Sequence, residues 1–164
     1  IFDSTPLIYL AKVKVLEDLK SLKTENIILK SVYKEVVESG IKKGKDDALY
    51  IEKLIKDGLF EIKVPIEQSL LLKKNKNLSA VDIDVLSYCK KFSAILIADD
   101  EGIRKIAEIE NIENHGSIYL LFKLLKHGII KKEELKIVLS NMIENGWYCS
   151  IDLYNEIIEK LNRL

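Results

Sequence analysis

Ala94-Ile95-Leu96-Ile97-Ala98-Asp99-Asp100 is the stretch whose reading decides the fold class. Its first five residues are apolar without interruption, as expected of a strand buried on both faces of a parallel sheet. The run then ends abruptly on two carboxylates. Before it, Ser79 opens a helical pattern through Val81, Val85, Leu86 and Cys89; after it, another runs through Ile103, Ile106 and Ala107. A strand set between helices predicts an α/β protein of three layers, α/β/α, around a central, mostly parallel sheet. Ligands of such sheets bind beyond the carboxyl ends of the strands, which is where Asp99 and Asp100 fall.

Working outward, Ile1-Phe2 reads as the end of a first strand stopping at Asp3, with Ser4 or Thr5 capping a helix that tolerates Pro6 in its first turn. Ile27-Ile28-Leu29 is a short buried strand. Ser31 is placed to cap the next helix, which carries Val32, Val36 and Val37 and is expected to end at Gly40. Residues 46–57 have helical spacing, and Phe60 to Val64 alternates like a strand at a sheet edge. A short helix at Leu70 to Leu72 is expected to end near Asn75. Ile112 marks a last short strand. Three helical patterns, Ser117 to Lys126, Lys132 to Asn145 and Ile151 to Leu161, complete the chain.

The 164 residues suit a single domain with room for a core, its main part over about 1–130 and a helical extension over about 131–164. Basic and acidic residues number 26 each, so the formal charge is zero. That argues against tight non-specific binding of nucleic acid, which depends on net neutralisation of phosphates. It leaves room for an enzyme with carboxylates on one face and lysines on another. Cys89 and Cys149 are too few for a disulfide framework or a zinc cage, and Cys89 reads as a small core residue. No apolar stretch approaches the ~20 residues that span a bilayer and no signal-peptide pattern opens the chain, so the expectation is a soluble cytoplasmic protein without membrane association.

Four acidic groups carry the chemistry: Asp3, Glu35, Asp82 with Asp84, and Asp99 with Asp100. Each alone has an ordinary reading, as a helix cap or a favourable first-turn charge. Together they are costly, because crowded carboxylates repel and raise one another's pKa. Oxygen donors gathered at a sheet edge suit Mg²⁺ or Mn²⁺, with a phosphate-bearing substrate completing the shell. Residues two apart on a helix do not share a face, so Asp82 and Asp84 are not equivalent.

These residues resemble the motifs of the PIN-domain family of metal-dependent nucleases. Ile1 to Ile8 is similar to the family's opening strand, Asp and small hydroxyl residue; Val32 to Val37 is similar to the motif that brings in a helical Glu. Leu78 to Leu86 is similar to the third motif, with acids at a helix start, and Ile95 to Asp100 to the fourth. Gly116-Ser117, Lys126 to Ile130 and the segment from Gly146 to Leu161 resemble a prokaryotic, toxin-like branch in which a helical hairpin follows the nuclease core. The chain departs from the family at Ala98, where a Thr is common, and has Asp82 and Asp84 where that branch tends to have Glu.

The resemblance implies hydrolysis of RNA phosphodiester bonds with Mg²⁺ or Mn²⁺. Asp3, Glu35, Asp82 and Asp100 are then the catalytic candidates; Asp3, Asp82, Asp84, Asp99 and Asp100 are the candidate metal ligands. Ser4, Thr5 and Ser117 are supporting hydroxyls, although Ser117 alone reads more simply as a helix cap. It also implies a homodimer and, for a toxin, a small antitoxin protein as partner. Lys42, Lys43 and Lys45, and Lys73, Lys74 and Lys76, read as solvated surface before they read as RNA contacts, and Trp147 and Tyr148 as packing residues. A dehalogenase-like phosphatase would want Asp where Thr5 stands, and a receiver domain would carry its acidic pair near the first strand. The other alternative, of a different class, is a catalytically weak PIN fold that binds nucleic acid or protein.

Overall fold

The computed structural model describes residues 1–73 and 75–164, with the backbone alone at Leu70 and Leu71. The chain is an α/β protein whose strands are short and parallel. β1 (Ile27–Leu29) pairs with β2 (Glu61–Lys63), and β3 (Leu96–Ile97) pairs with β4 (Asn114–His115). Residues 1–3 run between the two pairs: the Phe2 amide donates to the Ile27 carbonyl at 3.0 Å, and the Asp3 amide to the Ile97 carbonyl at 2.9 Å. The expected central sheet is therefore represented by two two-stranded sheets joined through one bridge, Phe2 to Ile97.

The helices are α1 (Ser4–Lys12), α2 (Lys30–Tyr33), α3 (Ser39–Lys42), α4 (Asp46–Lys56), α5 (Leu70–Lys73), α6 (Ala80–Phe92), α7 (Glu101–Ile109), α8 (Ser117–Lys126), α9 (Lys132–Glu144) and α10 (Ile151–Arg163). A π-helical turn, Lys34–Glu38, links α2 to α3, and a 3-10 stretch, Leu16–Leu22, follows α1. One cluster of buried side chains joins the strands to α1, α6 and α8 and continues through Leu135, Leu139 and Met142 of α9 to Ile157 and Leu161 of α10. No helix among the described residues is long and apolar enough to cross a membrane.

Several local expectations change. The run from Ala94 to Ala98 is a paired strand only at Leu96–Ile97; Ala94 still lies in the exit from α6, its amide donating to the Cys89 carbonyl at 3.0 Å, while the Ile95 carbonyl accepts from the Ile1 ammonium at 2.8 Å. The last strand forms at Asn114–His115, two residues beyond Ile112, whose side chain instead enters the core. Asp3, not Ser4 or Thr5, occupies the N-cap position of α1. Ser31 caps nothing: α2 begins one residue earlier, and the Ser31 hydroxyl is buried without a hydrogen-bond partner. Gly40 does not end its helix. A Cβ there would stand 2.5 Å from the Cβ of Ala48, so its role is to let α3 pack closely on α4.

Candidate functional site

Asp3 lies at the carboxyl end of the first extended segment and is only 6 % exposed. No first-turn amide of α1 meets its carboxylate in hydrogen-bonding geometry. Burial is the main influence on its acidity and raises its pKa. The Ser4 and Thr5 amides draw it down, while the charges of Asp82 and Glu35 push it up, and the balance sets it at about 6. Asp3 is thus a buried carboxylate with the charges of two others acting on it.

Glu35 reaches this place from the π-helical turn, and its Oε2 accepts a hydrogen bond from the Ser4 hydroxyl at 2.9 Å. The wider turn lets consecutive Val36 and Val37 both enter the core while Glu35 stays exposed; such turns within α-helices are frequent at functional sites. Asp82 enters from the first turn of α6. There it forms a capping box with Ser79, accepting from the Ser79 amide at 2.7 Å while its own amide donates to the Ser79 hydroxyl at 3.1 Å. Asp84 turns elsewhere and accepts from Gln68 Nε2 at 2.7 Å.

The carboxylates after β3 are in a different situation. Asp99 accepts three hydrogen bonds: from the Ser117 amide at 2.7 Å, from the Ser117 hydroxyl at 2.6 Å, and from Trp147 Nε1 at 3.0 Å. The N-terminus of α8 also presents its positive end there. Gly116 makes the approach feasible, since a Cβ at that position would lie 3.0 Å from Asp99 Oδ1. Ser117 is accordingly the first residue of α8 with Gly116 at the N-cap, so its hydroxyl serves Asp99 and does not cap the helix. Asp100 is the N-cap of α7 and accepts from the Ile103 amide at 3.0 Å.

Glu35 and Asp82 are therefore each brought within electrostatic reach of Asp3, with Ser4 bound to Glu35. Asp84 is directed to Gln68, and Thr5 lines a neighbouring cleft with Asp99 and Asp100. Lys74 lies outside the described residues. Trp147 packs into the core, as its sequence context predicts, and in addition donates its indole N–H to Asp99. That bond's one legible signal is chemical, because a buried indole N–H needs an acceptor; which acceptor it finds depends on a contact 48 residues away along the chain.

Chemically, the Asp3, Glu35 and Asp82 donors fit a hard divalent cation: all are carboxylate oxygens, and a cation would relieve the repulsion that raises the Asp3 pKa. As the side chains stand, no three Asp, Glu, His or Cys among the described residues are close enough together to hold one, so binding would draw the donors inward.

The cleft beside Asp99 measures about 960 Å³ and runs between α7, α8 and the segment that leads into α10. That segment is tied down at its start, where the Tyr9 hydroxyl donates to the Gly146 carbonyl at 3.0 Å, and by the bond from Trp147 to Asp99. Asp99 and Asp100 thus line an open cleft whose outer wall comes from the last helical hairpin.

No curated protein matches the chain. The model of one family does, described as a PIN domain, and it matches residues 1–163. With that match extending from the first residues through the C-terminal hairpin, the chain belongs to the PIN-domain family.

Proposed function

We propose that this protein is a metal-dependent endoribonuclease whose centre is the group Asp3, Glu35 and Asp82, with Asp99 and Asp100 on its flank. PIN domains are generally nucleases that use divalent metals. The observation that carries the reading is Asp3 itself: a carboxylate buried at a sheet edge, with two more charges directed against it and a pKa near 6. A fold with no use for that repulsion would relieve it with a neutral side chain.

Asp3, Asp82 and Glu35 would hold Mg²⁺ or Mn²⁺. When bound, the ion supplies an acidified water and stabilises charge on the scissile phosphate. Ser4 holds Glu35 in place. Ser117 and Trp147 occupy both oxygens of Asp99, which suits it to fixing the site's edge and orienting what binds there. Asp100 keeps one oxygen on the α7 amide and is one of the residues that line the cleft. Asp84 is the least suited of the candidate ligands.

The same proposal includes a three-layer α/β/α arrangement, supported by the hydrogen bonds of residues 1–3 to both strand pairs. It also includes one domain with a C-terminal extension and a cytoplasmic, toxin-like setting with a homodimer and a small antitoxin partner; these rest on the family alone.

The test is cleavage of a labelled single-stranded RNA with Mg²⁺ or Mn²⁺, comparing wild type with Asp3→Asn. Metal-dependent cutting that disappears in the variant supports the reading. No cutting by wild type, with RNA still bound, would favour a binding module; equal cutting by both would refute the assignment of Asp3.

A further inference from the structure

The cleft has features that the carboxylate chemistry does not use. His115 and Tyr119 on its wall are stacked, with ring centroids 3.8 Å apart and planes 9° from parallel. Tyr148 stands at its mouth 84 % exposed, an aromatic surface with little protein covering it. Two cations line the same space. Arg104 is oriented by its Nε–H, which donates to Asn114 Oδ1 at 3.1 Å, and the Lys160 ammonium lies 4.7 Å from the centroid of the Phe122 ring. Among the described residues neither cation forms a salt bridge with a carboxylate.

Charge decides what the cleft would take. Asp99, Asp100 and Glu101 line it too, so it is not a uniformly basic groove that tracks a polyanion. Flat aromatic faces with one or two cations suit a ligand with a flat face and a single adjacent negative charge, which describes one unstacked nucleotide. A folded double helix offers no free base face, and an acidic peptide would meet the three carboxylates.

We propose that the cleft is a base-binding subsite for single-stranded RNA. One splayed base lies against Tyr148 and the His115–Tyr119 stack, and its phosphate is on Arg104 and Lys160. The subsite belongs to the C-terminal hairpin as much as to the core, because Tyr148 and Lys160 both come from it. Trp147 sets its position relative to the acids by binding Asp99. On the nuclease reading, on which this rests, it selects the nucleotide next to the scissile bond.

The experiment measures binding of a short fluorescent single-stranded RNA by anisotropy, without divalent metal and at low salt, for wild type, Tyr148→Ala, Tyr148→Phe and Lys160→Ala. Both alanine substitutions are at exposed positions, so the fold is retained. Tyr148→Ala is expected to weaken binding about tenfold or more, the scale of losing one stacked base, with Tyr148→Phe restoring it. Lys160→Ala is expected to flatten the salt dependence. The same Tyr148→Ala protein is expected to show a raised KM in the cleavage assay. Unchanged affinity in both alanine variants would overturn the subsite, as would a wild type that does not bind the RNA; the cleft would then be left to a protein partner. RNA binding that depends on Tyr148 in a protein that cuts nothing supports the subsite and removes the nuclease reading. Cutting that depends on Asp3 but ignores Tyr148 does the reverse.

Discussion

Two groups of carboxylates in this fold have been treated in opposite ways. Asp99 and Asp100 are satisfied: three donors hold the first, and the second caps α7. Asp3 is buried, lacks a well-formed hydrogen bond from its own helix, and faces the charges of Glu35 and Asp82. A satisfied carboxylate stabilises the fold as it stands, whereas one that repels its neighbours stabilises it only after a cation arrives. The contrast separates the side chains that position the site from those that would do its chemistry.

The largest effect should come from Asp3→Asn. Loss of a group that stabilises transition-state charge through a metal is worth several kcal/mol, or about a thousandfold in cleavage rate. The same substitution should make the metal-free protein more stable at pH 7, measured by denaturant unfolding. A variant that is inactive and less stable would break the comparison, because Asp3 would then be a structural residue.

Next in size is the pH dependence of stability. The folded-state pKa of Asp3, about 6, lies above its ordinary value of 3.8, so the folded protein holds this proton more tightly than the unfolded chain. The contribution is fully present below about pH 4 and is lost as pH rises through 6, amounting to about 3 kcal/mol by neutrality. Asp3→Asn should flatten that part of the profile, and Mg²⁺ or Mn²⁺ at pH 7 should raise the Tm of wild type more than that of the variant.

On the satisfied side, Trp147→Phe deletes one of two donors to Asp99 Oδ2 and should cost about 1–3 kcal/mol of stability, the scale of one hydrogen bond to a charged group. Thermal unfolding measures it; a cost near zero would mean that Ser117 alone holds Asp99. The smallest effect belongs to Asp84→Asn, which keeps an acceptor for Gln68. It should change stability by about 0.5 kcal/mol or less and leave cleavage near wild type. A large loss of cleavage would move Asp84 into the reactive group.

Much of the local architecture was legible. Helix α8 runs over the very residues that its apolar spacing and flanking glycines predict, Ser117–Lys126, and β1 over Ile27–Leu29. Both are strong periodic or continuous apolar signals, which depend only on near neighbours. What failed depended on distant ones. Ser31 has the chemistry of a cap but lies inside the first turn of α2. Gly40 looks like a helix end but is the point where α3 meets Ala48. The π-helical turn that exposes Glu35 while burying Val36 and Val37 leaves no mark in the apolar spacing.

The candidate site divides the same way. Which residues are acidic, that they follow apolar runs, and the order in which they occur are properties of the sequence, and they were enough to point to the family. Whether a carboxylate is satisfied or repelled is a property of the partners that folding brings to it. Ser117 and Trp147 reach Asp99 across 18 and 48 residues of chain, and Ser4 meets Glu35 across 31. Electrostatic energy depends on distance and burial in space, so only the tertiary structure could assign Asp3 to the strained group and Asp99 to the satisfied one.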